Sequence, residues 1–427
     1  MRRILAFALF SLAVLSLPAQ DDTLRLSLDS CLSYAMGHSR TVRSARLQRE
    51  VSLAALEGAK MRFTPSLAAS ASADLSIFGG NTTTNTSYGV GGSWSLFEGF
   101  SKLNDYRSAR AEERRSTLAV EKSACDVAVQ VVTAYLEAAA GKERLRYLRD
   151  LETSTAKEAA DAEVKYRSGS LLESDYLLLK ASAAQARCNV VNAVSDIENR
   201  LSQLRILVGY DGTAVLDVEE LVEEVVGEQL PPLDEVVRKV VEETLPDMKI
   251  QELERQKAEY SLRSAKGSFA PSLNANAYAS YYGGEHVRTD AGGMLVTPGG
   301  VNTTLSLGVS LPIFNQGVRR QQLAQGKIAL QQADLQAEET RKELEQTVAE
   351  RYRMLLQARN TLEASRQMME ATTASLQVYE AKFAAGSAST TDLLQQQERW
   401  LSAVNDYVQN KYSCIVSERI MDIYSGK

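Results

Sequence analysis

AKMRFTPSL, at Ala59–Leu67, and AKGSFAPSL, at Ala265–Leu273, are one segment written twice: six of nine positions agree across an offset of 206 residues. Further along, AEVKYRSGS at Ala162–Ser170 is echoed by YEAKFAAGS at Tyr379–Ser387, and Asp175 by Asp392, now at an offset of 217. The eleven extra residues fall between Pro271 and Phe314, which lie 43 positions apart where Pro65 and Phe97 lie 32 apart. Two copies of this length predict a pseudo-symmetric protomer, not a stack of short repeats.

The repeated segment leads into a patch where the sequence period changes to two. Of 25 glycines, 15 lie in Pro65–Gly99 and Gly267–Gly317, while no proline occurs between Ser66 and Leu230 or after Pro312. Within the first patch Leu67, Ala69, Ala71, Ala73, Leu75 and Ile77 alternate with serines and Asp74, and Tyr88, Val90, Trp94 and Leu96 alternate with glycines and serines. This predicts a hairpin turning through GGNTTTN at Gly79–Asn85. The second patch repeats the design from Leu273 to Tyr281 and from Leu305 to Leu311, with a long turn at Gly283–Gly300. Strands of about ten to twelve residues, apolar on one face and small and polar on the other, suit a tilted bilayer crossing. The aromatics Trp94, Phe97, Tyr281, Tyr282 and Phe314 fall where a membrane-interface girdle would need them. A soluble sandwich hairpin shows the same alternation. Four strands do not close a barrel, and lipid does not tolerate open edges, so a membrane barrel demands several subunits.

Between the patches the chain is helical. Gly99–Arg167 and Gly317–Ala385 each offer 69 residues, roughly 100 Å at 1.5 Å per residue. Val120, Val127, Ala134, Gly141 and Leu148 recur every seven residues, as do Leu355, Leu362, Met369, Leu376 and Phe383, which predicts left-handed coiled-coil packing. A glycine breaks each run, and SLLE at Ser170–Glu173 reads as a capping box that restarts the first. Val42–Thr64 and Leu171–Val208 together nearly match the long run between them, so two shorter helices stack end to end beside it.

Composition narrows the function. Met1 to about Ala19 reads as a secretory signal peptide, with Arg2 and Arg3 before an apolar core at Ile4–Leu17. The net charge of −6 argues against nucleic acid as a partner. Four dispersed cysteines and two distant histidines, His38 and His286, give no metal-ligand spacing and no catalytic nucleus, so neither an enzyme, a metal nor a cofactor is expected. Cys125 and Cys188 would sit about 37 Å apart on antiparallel helices, too far for a disulfide.

Taken together, these parts resemble the TolC-like outer membrane efflux protein family. The resemblance rests on LRLSLDSCLSYAM at Leu24–Met36 paired with LDEVVRKVV at Leu233–Val241, on FTPSL and FAPSL, and on the hairpin exits SLFEGF and LPIFNQG. It rests also on the helix turns YRSGSLLESDYL and FAAGSASTTDLL, and covers nearly all of the mature chain. HSRTV at His38–Val42 departs from the pattern, lacking a proline matching Pro246. The implied fold is mainly α with membrane β: long coiled-coil hairpins form a periplasmic α-barrel, and four strands per protomer contribute to a trimeric twelve-stranded β-barrel. The expected organisation is a signal peptide at 1–19 and a first repeat at 20–230, with hairpin about 65–98, long helix about 99–167, tip 168–170, return helix 171–208 and linker 209–230. A second repeat at 231–427 has its hairpin about 271–314, long helix about 317–385, tip 385–390 and a return helix to about 424.

The resemblance implies a homotrimer in outer membrane lipid with a periplasmic extension. It would serve as the passive exit duct of a tripartite efflux pump or type I secretion system, docking to a periplasmic adapter coupled to an inner-membrane transporter. Tyr166, Gly169, Ser170 and Leu171, with Phe383, Gly386 and Ser387, match the tips that meet the adapter. Asp392 matches an aspartate lining the periplasmic constriction; Asp175 is its counterpart in the first copy. Gln395 stands where a second acidic ring would fall, and Ala388 replaces an arginine that supports a closed tip, which predicts a less tightly latched gate. Trp94, Phe97, Tyr281 and Phe314 are the expected interface anchors. A periplasmic coiled-coil scaffold would leave the strands unexplained, and a general porin would leave the long helices unexplained.

Overall fold

The structure is a computed structural model that describes residues 23–78, 81–219, 230–288, 294–296 and 298–426. The signal peptide and residues 220–229 of the linker therefore lie outside the described residues. Two compact units divide the chain, one of Met1–Arg43, Ala124–Val240 and Thr347–Lys427, the other of Ser44–Ser123 and Val241–Gln346. Each unit draws on both sequence repeats, so the spatial division cuts across the duplication.

The elements follow the expected order twice. The first copy runs β1 (Thr23–Leu26), α1 (Leu28–His38), α2 (Arg40–Met61), β2 (Ser66–Phe78), β3 (Asn81–Glu98), α3 (Ser101–Arg167), α4 (Glu173–Val208) and β4 (Val215–Val218). The second runs α5 (Leu233–Lys239), a π-helical turn at Val240–Thr244, α6 (Asp247–Gly267), β5 (Ser272–Arg288), β6 (Met294–Val296), β7 (Gly300–Ser310), α7 (Val318–Ala384) and α8 (Thr390–Ser425). At 67 residues each, α3 and α7 are about 100 Å long.

Of the heptad positions in the first unit, Val127, Leu148, Leu355 and Leu376 are buried and Ala134, Gly141, Leu362, Met369 and Phe383 are half-buried. Val131, Val132 and Leu136 of α3 join Leu204 and Val208 of α4, Leu393, Val404 and Val408 of α8 and Cys31 of α1 in one core. β1 pairs in parallel with β4, from Thr23↔Val215 to Leu26↔Val218. Tyr135, 1 % exposed, holds this ribbon to α3: its hydroxyl donates to the Leu26 carbonyl at 3.1 Å and accepts the Glu219 N–H at 3.1 Å. Burial pushes its pKa up to about 12. Lys142, two turns on, donates to the Val218 carbonyl and pairs with Asp217. All four cysteines are free thiols, and burial pushes Cys31 and Cys414 up to about 11.

The second unit carries a sheet in the order β2-β3-β5, antiparallel throughout, with β7 pairing β5 from Ser272↔Ser310 to Tyr282↔Gly300 and β6 continuing that edge at His286–Arg288. Register puts Ala69, Val90, Ala279 and Thr303 side by side on one face, and Ser70, Gly89, Ser280 and Asn302 on the other. Tyr278 projects from the polar face across Gly89 and Gly91, where a Cβ on either glycine would strike its ring. Both hairpins leave the sheet through two successive left-handed residues, Gly99 and Phe100 in one copy, Gln316 and Gly317 in the other. The backbone is repeated although the residue types are not. Gly99 also lies so close to Gly267 that neither position has room for a side chain.

Three local expectations are corrected. The first hairpin does not turn through Gly79–Asn85, because pairing continues to Phe78↔Asn81 and Thr82–Asn85 are strand residues bonded to β5 as well as β2. The strands are accordingly longer than ten to twelve residues: β2, β3 and β5 have 13, 18 and 17, with β7 alone inside the expected range at 11. Nor is Gly283–Gly300 one long turn, since β5 runs on to Arg288 and β6 folds back on it.

The Tyr135 hydroxyl ties the end of β1 to the residue after β4 through two part-buried backbone groups. Tyr135→Phe is expected to cost about 0.5–1.5 kcal/mol, read as a lowered midpoint of heat unfolding by circular dichroism.

Candidate functional site

The two helix turns are built alike. At the first, the Gly169 N–H donates to the Tyr166 carbonyl and the Ser170 N–H to the Lys165 carbonyl, both at 2.9 Å. At the second, Gly386 donates to Phe383 at 3.0 Å and Ser387 to Lys382 at 2.8 Å. These crossed bonds close each helix with a left-handed glycine, φ +74° at Gly169 and +73° at Gly386, where empty space surrounds a would-be Cβ. The glycines answer to backbone conformation, not to crowding.

The restart differs between copies. Ser170 does not cap the next helix: its hydroxyl turns back to the Lys165 carbonyl, and α4 begins after Leu172 with no side-chain cap. The SLLE capping box is thus absent from the first tip. One forms in the second, where the Ser389 hydroxyl accepts the Asp392 N–H at 3.1 Å and the Asp392 carboxylate accepts the Ser389 N–H at 3.2 Å. The Ser389 hydroxyl and N–H hold the Asp392 carboxyl below the usual aspartate range. Asp175 occupies the same third position of α4, with Leu172 in place of the capping serine.

On α8, Asp392 and Gln395 are exposed, while Leu393, Gln397 and Trp400 turn inward. Arg399 extends the exposed stripe one turn beyond Gln395. The tips meet at Leu171 and Phe383, which share a cavity of about 270 Å³ with Lys165, whose ammonium lies 5.8 Å from the Phe383 ring centroid. Tyr166 instead stacks on Tyr176, with centroids 5.2 Å apart and planes within 3°. Gly169, Ser170, Gly386 and Ser387 are exposed. Sequence reasoning missed Glu158, Glu380 and Gln397, which gather beside this cavity; the S-x-x-D spacing of Ser389 and Asp392 was a readable signal that it passed over.

The sheet, taken by itself, exposes a continuous apolar face: Leu67, Val90, Val301, Leu305, Leu307 and Val309 are each more than half exposed. Trp94, 43 % exposed, is fixed by its indole N–H donating to the Phe63 carbonyl at 2.9 Å. A bulge between Ser95 and Phe97 brings Phe97 opposite Leu273 and hence onto the apolar face. Phe97 meets Phe100 edge-on at 5.2 Å, and Phe314 is 84 % exposed. Tyr281 lies between Tyr88 and Val301. From Leu273, beside Phe97, to Tyr282 is about 30 Å along the strand, or roughly 25 Å in height at barrel tilt, close to the apolar band of an outer-membrane barrel. Among the described residues no helix is long and apolar enough to cross a membrane.

A sheet with a bare apolar face and aromatic borders, in one chain with two 67-residue helices, is the make-up of an outer-membrane channel protein as a class. Within it, the outer membrane efflux protein family matches residues 31–210 and 239–421, and the chain belongs to that family. Outer membrane protein TolC of Escherichia coli K12 is 20 % identical over 296 residues, 68 % of this chain; the match spans only 59 % of TolC's own length. A membrane protein from Pseudomonas aeruginosa superposes with TM-score 0.78 at 17 % identity, over 93 % of this chain and 90 % of that one. The CmeC outer membrane channel of Campylobacter jejuni gives 0.76 at 18 %, over 93 % and 85 %. Family membership places the protein in the outer membrane with a periplasmic extension, and the doubled helical fold with membrane strands is that of its structural relatives.

Two outcomes follow. Ser389→Ala should return the Asp392 carboxyl toward the ordinary aspartate value in an NMR-detected titration. In the unsubstituted chain the stabilisation from this carboxylate is present above the ordinary aspartate pKa and lost as pH falls through the lowered one. Leu305→Arg, midway along the apolar face, should cost about 2–4 kcal/mol of barrel stability, whereas Asn276→Arg on the polar face should leave heat-resistant oligomer formation intact on detergent gels.

Proposed function

We propose that the chain is one protomer of a homotrimeric, passive exit duct for a tripartite efflux pump or type I secretion system, gated at its periplasmic tips. The carrying observation is the sheet: four strands wide, apolar on one face, and open at β2 and at β7. In lipid those edges have no water to satisfy them, and three copies joined edge to edge make an even, closed ring of twelve strands. The polar face of serines, asparagines and glycines then lines a wet lumen.

The glycine turns at Gly169 and Gly386 are the docking sites of a periplasmic adapter, itself coupled to an inner-membrane transporter. Their exposed backbone and small side chains let a partner hairpin approach closely. Asp392 lines the constriction: it is exposed, held ionised by Ser389, and tripled by symmetry, so it favours cations and disfavours anions. Gln395, one turn on, adds no second charge, and Asp175 is the weaker counterpart because no serine caps its turn.

Single-channel recording in planar bilayers tests this reading. The mature protein should form cation-selective channels, and Asp392→Ala should raise conductance or reduce selectivity. Channels indifferent to the substitution would remove Asp392 as the limiting ring. No channel from folded trimer would favour a periplasmic scaffold.

A further inference from the structure

Beside the tip cavity, Glu158 of α3 meets Gln397 of α8, joining the first helical hairpin to the second. The Gln397 amide nitrogen donates to both carboxylate oxygens, at 3.1 and 2.9 Å, and the Ser154 hydroxyl adds a third bond at 3.4 Å. Gln397 is 4 % exposed, yet its amide oxygen is buried without a hydrogen-bond partner. An unpaired acceptor of this kind costs free energy unless a donor reaches it.

We propose that Glu158 is a proton site: with a proton on its carboxyl, it pairs with the Gln397 amide as a carboxylic acid–amide ring that pins the two hairpins together near the tips. In that ring the amide N–H donates to one carboxyl oxygen and the carboxyl O–H donates to the amide oxygen, so the orphan acceptor gains its donor. Turned end for end, the amide would set its oxygen against both carboxylate oxygens, an arrangement that only a protonated carboxyl tolerates. In the orientation seen, the amide must first turn its oxygen toward the carboxyl, and one proton then completes the pair.

The surroundings favour it. Burial holds Glu158 above the usual glutamate range, and the nearby Glu380 carboxylate of α7 adds to this, against the lowering effect of the Gln397 and Ser154 bonds. Glu380 is itself raised by burial. The other charged groups lining the cavity are Lys157, Asp161 and Lys165, all of α3; α8 contributes none. Lys165 is directed over the Phe383 ring. A carboxyl whose pKa is raised in the joined state binds its proton more tightly there than in water. Joining is therefore favoured as pH falls and weakened as pH rises through the raised pKa.

The duct reading supplies the meaning of hairpin separation, but the test does not depend on conductance. Infrared difference spectra and heat-unfolding midpoints of the purified mature protein would be recorded from about pH 4 to about pH 8, from the ordinary glutamate range upward. The unsubstituted protein should show a protonated carboxyl band that fades with rising pH while the midpoint falls. Glu158→Gln, an uncharged mimic with the same hydrogen-bond reach, should lose the Glu158 part of the band, leaving that of Glu380, and flatten the fall of the midpoint with pH. Glu380→Gln should keep the band and move its disappearance to lower pH. An identical band in Glu158→Gln, or a titration that Glu380→Gln leaves unmoved, would overturn the proposal whether or not the protein conducts.

Discussion

The whole arrangement depends on unpaired backbone at two strand edges. Among the described residues, β2 and β7 each present a row of N–H and C=O groups with no partner strand beyond them, on a sheet whose apolar face cannot remain in water. In an aqueous setting water would satisfy those groups; in hydrocarbon each would cost several kcal/mol. A protomer with this sheet is therefore incomplete, and subunit assembly is as much a condition of its stability as the packing of its helices. The bulge at Ser95/Phe97 serves the same end, since it sets Phe97 on the apolar face just where β3 hands over to α3.

The helices carry a second consequence of duplication. Each copy closes its long helix with the same glycine turn, yet the copies restart differently, Leu172 without a cap and Ser389 with one. A capped turn is the more rigid of the two, and its Asp392 carboxylate is committed to the backbone. The symmetry of the fold thus ends at the tips, where one hairpin presents an apolar residue and the other a fixed charge.

Much of this was legible in the sequence because the deciding signals are local. Gly169 and Gly386 mark the helix ends through the φ that only glycine adopts freely, and the seven-residue spacing of Val127, Leu148, Leu355 and Leu376 marks the buried stripe. Illegible features depend on partners far along the chain. Gly79–Asn85 has turn composition, but Thr82–Asn85 are held extended by strands on both sides. Strict alternation would place Phe97 on the polar face, and only the bulge reverses it. Ser170 looks like a cap, yet its hydroxyl finds a nearer acceptor behind it. Glu158 and Gln397 are 239 residues apart, and neither has a local pattern that announces the other.

The interleaving of the two repeats bears on how the chain comes to be folded at all. The core around Leu136 needs Leu204 from the first copy, but also Leu393, Val404 and Val408 from the last helix. A chain synthesised from its N-terminus delivers that helix last. Until then, the emerging first half has a long helix with a bare apolar stripe and a hairpin with a bare apolar face. The interval before the last helix arrives is therefore the one in which the chain exposes the most apolar surface, and the fold closes only when its two ends meet.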